Sequence, residues 1–185
     1  MQGAYILGVI SIIQAREADI PVIEGVLLDA VNWLTEMGQP LWGADEVTWE
    51  SLSASPQHGS NYVSGNYKAD DFYIAYLDGA PAGCMALIDY DPFFWPGVRR
   101  GESLFIHKLA VKKAARKSGA SGALIDFAKE QCAARGVNSL RLDTDATRPK
   151  TRAFYERHGF ECADIRQMGP FSVAFYVYTL AIMGD

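Results

Sequence analysis

Four cations, Lys112, Lys113, Arg116 and Lys117, fall between an apolar stretch and two glycines in the run Val111-Lys-Lys-Ala-Ala-Arg-Lys-Ser-Gly-Ala-Ser-Gly122. A helix-like segment, Ala123–Arg135, follows. A chain that leaves a strand, turns through small residues and opens a helix creates an anion site. The first amides of the helix have no internal acceptor, and the macrodipole adds positive potential there. Gly119 and Gly122 let backbone approach a phosphate with no Cβ in the way. In a chain of net charge −5 this clustering points to a phosphate-bearing ligand. A solvated basic helix start is the alternative, and composition alone does not separate the two.

The elements that must hold this run can be read from periodicity. Ser103–Val111 is the strand that feeds the turn, and Gly136 ends the helix. Upstream, Ser11–Ala15 reads as a strand. Asp19 caps a helix whose first turn tolerates Pro21, with Ile23, Leu27, Ala30 and Leu34 at helical spacing and Gly38 as its stop. Glu46–Ser53 is a short helical candidate, and Pro56–Lys68 is polar, rich in small residues and expected to be a mobile loop. Phe72–Leu77 and Ala82–Tyr90 form a hairpin through Asp78-Gly79. Downstream come a strand at Ser139–Asp143, a helix from Thr147/Arg148 and Pro149 to Arg157, and strands at Cys162–Met168 and Val173–Leu180. The order βααβββαβαββ describes a mixed α/β layer fold.

At 185 residues the chain reads as a single domain, 1–185, with the order of residues 1–9 left open. The acidic balance argues against broad binding to nucleic acid or anionic membranes. The apolar start, Met1–Ile13, is too short to span a bilayer and lacks the basic flank of a signal peptide. Three cysteines, Cys84, Cys132 and Cys162, are odd in number and widely spaced, which fits a reducing, cytoplasmic setting and excludes a zinc finger.

Three stretches together resemble the GNAT superfamily of N-acetyltransferases. Arg116-Lys-Ser-Gly119-Ala-Ser121-Gly122 is similar to its pyrophosphate loop. Leu109-Ala-Val111 is similar to the end of its central strand, and Ala153-Phe-Tyr155-Glu-Arg-His-Gly159-Phe160 to its late helix. The resemblance implies a single-domain fold with a mixed twisted β-sheet flanked by helices and splayed central strands. It implies acetyl-CoA as cosubstrate, held by Leu109, Ala110 and Val111 along the strand and by Arg116, Lys117, Ser118, Gly119, Ala120, Ser121 and Gly122 at the pyrophosphate. No metal is implied. Two positions depart from the pattern: Ser121 stands where a second loop glycine is usual, and Arg148 where an asparagine often begins the late helix. An arginine there could reach a phosphate instead.

The implied reaction is direct transfer of an acetyl group to a primary amine of a small molecule or peptide. The resemblance makes Tyr155 the general acid that reprotonates a departing thiolate. It also matches His107 to a catalytic histidine, suited to taking a proton at neutral pH. Period-2 alternation puts His107 on the face of Phe105 and Leu109, so a packed core histidine is the alternative unless a bulge interrupts the strand. Glu102, Asp143 or a water chain are the other candidate bases. Trp42, Phe93, Phe94 and Trp95 could wall an acceptor pocket, with Asp45, Asp89, Asp91 or Glu102 near in sequence; ordinary loop packing is the competing account. A catalytically silent acyl-CoA-binding or sensing module on the same fold is the alternative function. A generic nucleotide-binding protein ranks behind both, because the run has neither Gly-Lys-Ser/Thr nor Gly-x-Gly-x-x-Gly. A homodimer is compatible with the sequence.

Overall fold

The computed structural model describes residues 8–54 and 66–180. The expected order of elements is present. The strands are β1 Ile10–Gln14, β2 Phe72–Leu77, β3 Ala80–Ile88, β4 Leu104–Val111, β5 Ser139–Asp145, β6 Glu161–Met168 and β7 Phe171–Thr179. The helices are α1 Ile20–Glu36, α2 Trp49–Ser53, α3 Ala120–Ala134 and α4 Pro149–Arg157. The strands form one seven-stranded mixed sheet in the order β1-β2-β3-β4-β5-β7-β6. Most of the Pro56–Lys68 loop, and most of residues 1–9, lie outside the described residues.

The chain divides into two compact units, and the division of β4 falls between His107 and Lys108. In the first unit β1, β2 and β3 are antiparallel, with Ile12 opposite Ala75 and Tyr73 opposite Met85. Asp78 and Gly79 both have positive φ (51° and 81°), the handedness that a tight hairpin needs to match strand twist. Helix α1 buries Ile23, Val26, Leu27, Ala30 and Val31, one stripe at helical spacing. Its start differs from expectation. Asp19 occupies the cap position, but its carboxylate accepts from the Arg16 amide at 2.9 Å, because a single 3-10 turn over Glu17–Asp19 precedes the helix. The Glu46–Ser53 helix is likewise broken at Thr48, whose hydroxyl caps α2 by accepting from the Ser51 amide.

In the second unit β5, β7 and β6 are antiparallel, and β4 joins β5 in parallel through Leu104↔Leu140 and Phe105↔Arg141. That register stops short of His107 and Asp143, as a splay of the central strands would require. The core here is Phe94, Trp95, Phe105, Val173 and Phe175. Of the three thiols, Cys84 in the first unit and Cys132 in the second are buried, whereas Cys162 on β6 is exposed. Burial raises the pKa of both inner thiols, that of Cys132 to about 11.

Two glycines of the first unit sit in opposite surroundings. A Cβ on Gly83 in β3 would lie 2.7 Å from the Ala110 carbonyl oxygen and 3.1 Å from Val111 Cγ2, whereas one on Gly25 in α1 would meet nothing within 4 Å. Gly83→Val is therefore expected to cost about 1–3 kcal/mol by overpacking. Gly25→Ala should add roughly 1 kcal/mol by helix propensity. Thermal melts should move in opposite directions, by about 2–4 °C per kcal/mol for a chain of this size.

Candidate active site

The anion loop belongs to the first unit. Helix α3 begins at Ala120, three residues before the expected Ala123, so Ser121 and Gly122 form its first turn. The Ser118 hydroxyl accepts from the Ala120 amide at 3.2 Å, which starts the helix early, and Ala123 makes the first internal bond to the Gly119 carbonyl. Among the described residues, the amides of Gly119, Ser121 and Gly122 donate to no carbonyl. Gly119 takes φ +92°, which disfavours side chains, and among the described residues, its chain neighbours aside, a Cβ built there would meet Ile10 Cδ1 at 3.8 Å, an ordinary contact. Lys117, at φ +65°, reverses the chain just ahead of it. Open space beside a glycine, bordered by helix-start amides, fits a phosphate.

The four cations are not equivalent. Lys113 pairs with Glu36 at 2.7 Å, and its amide donates to Asp29. The Arg116 guanidinium stacks 4.4 Å from the Trp33 ring centre. Arg148, in the second unit, is held by Asp145 at 3.1 Å, and Asp145 also accepts from the amide and hydroxyl of Thr147. These bonds keep the Asp145 carboxyl below the ordinary range against the opposing effect of burial. Arg148 therefore closes the turn into α4.

The proton-handling groups lie in the second unit. His107 is 7% exposed, and its Nε2 stands 3.0 Å from Asp91 Oδ2. The Asp91 carboxylate is itself buried, and its other oxygen accepts from the Phe94 amide at 3.1 Å. Asp143 joins this pair, since one ligand-type atom of each of Asp91, His107 and Asp143 lies within 4.8 Å of the others. Directly after His107, Lys108 adopts φ +52°. A left-handed residue cannot continue the pleat, so the alternation of β4 is interrupted at that point.

Tyr155 is carried on α4 and is 8% exposed, packed among Phe154, Phe160 and Tyr176. The helix that aims it is clamped at both sides of its own turn. Arg152 Nε donates to the Tyr176 hydroxyl at 2.9 Å, and that hydroxyl donates to Glu156 at 2.8 Å. Gly159, at φ +81°, ends the helix and lets the Phe160 amide return to the Tyr155 carbonyl. Burial, and secondarily the charge of Asp143, push the Tyr155 phenol well above its ordinary value. The phenol is thus protonated throughout the neutral range.

Several expected residues fall elsewhere. Glu102 is exposed and bound by the backbone and side chain of Arg99, which hold its carboxyl below the ordinary range. Asp89 pairs with Arg100. Phe94 and Trp95 are core, and Phe93 is 48% exposed. Trp42, in the first unit, lies under the Lys108 ammonium at 4.7 Å, and borders a cleft of about 780 Å³ that Val31, Thr35, Glu36 and Glu46 also line. Sequence reasoning missed the pairing of Asp91 with His107. A signal was present: one carboxylate stands at the head of the aromatic, proline-bracketed run Asp91-Pro-Phe-Phe-Trp-Pro-Gly97.

Comparison with known proteins adds three findings. The model described as "Acetyltransferase (GNAT) family" matches residues 41–160. An uncharacterised N-acetyltransferase, YesJ of Bacillus subtilis (strain 168), is 25% identical over 145 residues, 77% of either chain. Among solved structures, a GNAT-family acetyltransferase from Listeria monocytogenes 4b F2365 superposes with a TM-score of 0.69 at 18% identity, over 92% of this chain and 95% of that one. The N-acetylglutamate synthase of Neisseria gonorrhoeae, crystallised with coenzyme A and L-arginine, gives 0.60 at 18% identity, over 94% of this chain and 34% of that one.

The raised phenol makes a pH-dependent stability testable. A group whose folded pKa exceeds its unfolded value contributes stability that is complete below the unfolded value and is lost as pH rises through the folded one. For Tyr155 that loss begins near pH 10. The buried thiols act in the same direction from about pH 9. Melting curves from pH 7 to 11 should show Tyr155→Phe losing less stability than the parent above pH 10. Parallel losses in the two proteins would show that Tyr155 does not contribute.

Proposed function

Because this chain belongs to the acetyltransferase (GNAT) family, whose model spans residues 41–160, we propose that it is an N-acetyltransferase that moves an acetyl group from acetyl-CoA to a primary amine. The observation that carries the cosubstrate is the amino terminus of α3, where the amides of Gly119, Ser121 and Gly122 border open space beside a left-handed glycine. The neighbour crystallised with coenzyme A supports the same assignment. Acetyl-CoA, when bound, supplies the activated thioester. Ser118–Gly122 hold its pyrophosphate through backbone amides, and the exposed Lys117 adds charge. Leu109, Ala110 and Val111 hold its pantetheine arm through the backbone of β4.

The chain's own groups handle the protons. His107 accepts the proton that the amine must lose before it can act as a nucleophile. Tyr155 holds a proton at its phenol oxygen and delivers it to the leaving sulfur within hydrogen-bond reach. Packing against three rings holds the Tyr155 ring in place. On the acceptor side, the cleft beside α1 is walled by Val31, Thr35 and Trp42 and is large enough for a small acceptor; its carboxylate Glu36 is paired with Lys113 and its Trp42 ring lies under the Lys108 ammonium. Three free thiols fit a cytoplasmic setting. Among the described residues, no helix is long and apolar enough to cross a membrane.

Two variants separate binding from chemistry. Gly119→Asp puts a carboxylate where a phosphate should sit and a side chain at φ +92°, so calorimetric affinity for CoA should fall at least about 10-fold. Unchanged affinity in a folded variant would remove the cosubstrate site. Tyr155→Phe deletes one proton donor and keeps the ring. CoA affinity should survive, while CoA release with the best acceptor of an amine panel should slow by about 10²-fold. Full turnover in that variant would assign reprotonation to another group, and absence of CoA release from the parent across the panel would defeat the enzymatic reading itself.

A further inference from the structure

We propose that Trp33 is a positioning residue for the cosubstrate loop: its indole holds the Arg116 guanidinium in place, so that the N–H groups of that guanidinium are kept for the pyrophosphate of acetyl-CoA. The inference rests on the reading of Ser118–Gly122 as the pyrophosphate site. It adds a residue of α1 to that site and a division of labour among the neighbouring cations.

One stripe of α1 grips the segment that leads into the loop. Asp29, Trp33 and Glu36 stand at i, i+4 and i+7, which puts them on one side of the helix. Asp29 Oδ1 accepts from the Lys113 amide at 2.6 Å, and Glu36 Oε2 accepts from Lys113 Nζ at 2.7 Å. Arg116 Cζ lies 4.4 Å from the Trp33 ring centre. The two carboxylates are thus spent on Lys113, whereas Arg116 receives a ring. A guanidinium held over a ring keeps its five N–H donors, because the attraction is to its charge. Among the described residues those donors bond to no carboxylate, carbonyl or hydroxyl. Their planar fork matches two phosphate oxygens at once, as the point charge of a lysine does not. Arg116 stands three residues before Gly119, ahead of the reversal at Lys117, where φ is +65°.

The choice of tryptophan is informative in its own right. Trp33 Nε1 is buried and has no acceptor among the described residues, a cost that phenylalanine would avoid. Indole is also the aromatic face that holds a cation best. A ring kept despite an unpaired donor is serving its face, and local rules are broken in this way at functional sites. Holding Arg116 before the ligand arrives removes an entropy cost that a free side chain would meet on binding.

The test is calorimetry on the full chain, with CoA and 3′-dephospho-CoA as probes and a melting curve for every variant. Trp33→Leu should weaken CoA binding about 5-fold and Arg116→Gln about 10-fold. Trp33→Phe, which keeps a weaker aromatic face, should fall between Trp33→Leu and the parent. The double variant Trp33→Leu with Arg116→Gln should bind within about twofold of Arg116→Gln, since Trp33 acts only through the guanidinium. Losses that multiply would overturn the proposal, as would losses that track melting temperature across the variants, which would assign Trp33 to packing alone. Arg116 is exposed, so Arg116→Lys should fold as the parent does, yet it should bind as poorly as Arg116→Gln. Parental affinity in Arg116→Lys would show that a point charge suffices, and would also overturn the proposal. Each loss should be equal for 3′-dephospho-CoA; a loss confined to CoA would place Arg116 on the 3′-phosphate and overturn the pyrophosphate assignment. Failure of the parent to bind either probe would defeat the cosubstrate reading and this inference with it, whereas normal binding by every variant would overturn the inference alone.

Discussion

A carboxylate removed from water must be given donors, and the second unit is arranged around meeting that requirement for Asp91. Isolated burial of such a charge is prohibitive, and pairing makes it tolerable only when the geometry is good. The donors are the Phe94 amide and the His107 ring. To bring the first, residues 91–95 fold into a tight turn; to bring the second, β4 presents His107 on the face already occupied by Phe105. Water is then excluded by Phe94, Trp95 and Phe175, which pack over the turn. The same rings that looked available to an acceptor are consumed in this task, and Phe93 alone of the three turns outward.

The left-handed residue at Lys108 is the complementary constraint on the same strand. Up to His107 the strand follows the pleat of the second unit, in parallel register with β5 at Leu104 and Phe105. From Lys108 onward it belongs to the first unit, where the Ala110 carbonyl comes so close to Gly83 that no side chain fits between them. A non-glycine residue at φ +52° costs about 1 kcal/mol or more, and here the stacking of the Lys108 ammonium on Trp42 offsets part of it.

Much of this was legible from residue order. The strands and α-helices of the described residues follow the turn chemistry of Asp78-Gly79, Gly38, Gly136 and Gly159, all of which adopt positive φ. The glycine loop, the strand before it and the Tyr155 helix were identifiable because their physics is local: a missing Cβ, a helix start, a helix stop. What could not be read is what depends on contacts far apart in sequence. Ser118 capping the helix three residues early is a short-range competitor to the apolar pattern that had set its start at Ala123. The pairing of Asp91 with His107 spans 16 residues and needs the loop to fold back on its own strand. The left-handed backbone at Lys108 has no sequence signal, since lysine carries no preference for that conformation.

The placement of the cysteines has a practical consequence. One thiol, Cys162, is exposed on the outer strand β6, while Cys84 and Cys132 lie at the centres of separate units with their thiolate forms suppressed by burial. A thiol reagent added to the native protein will therefore label one site at once and the other two only as fast as each unit opens. With Cys162 replaced, the two slow labelling phases become separate clocks for the opening of the first and second units. The chain thus contains its own reporters for asking whether a bound ligand quiets one unit or both.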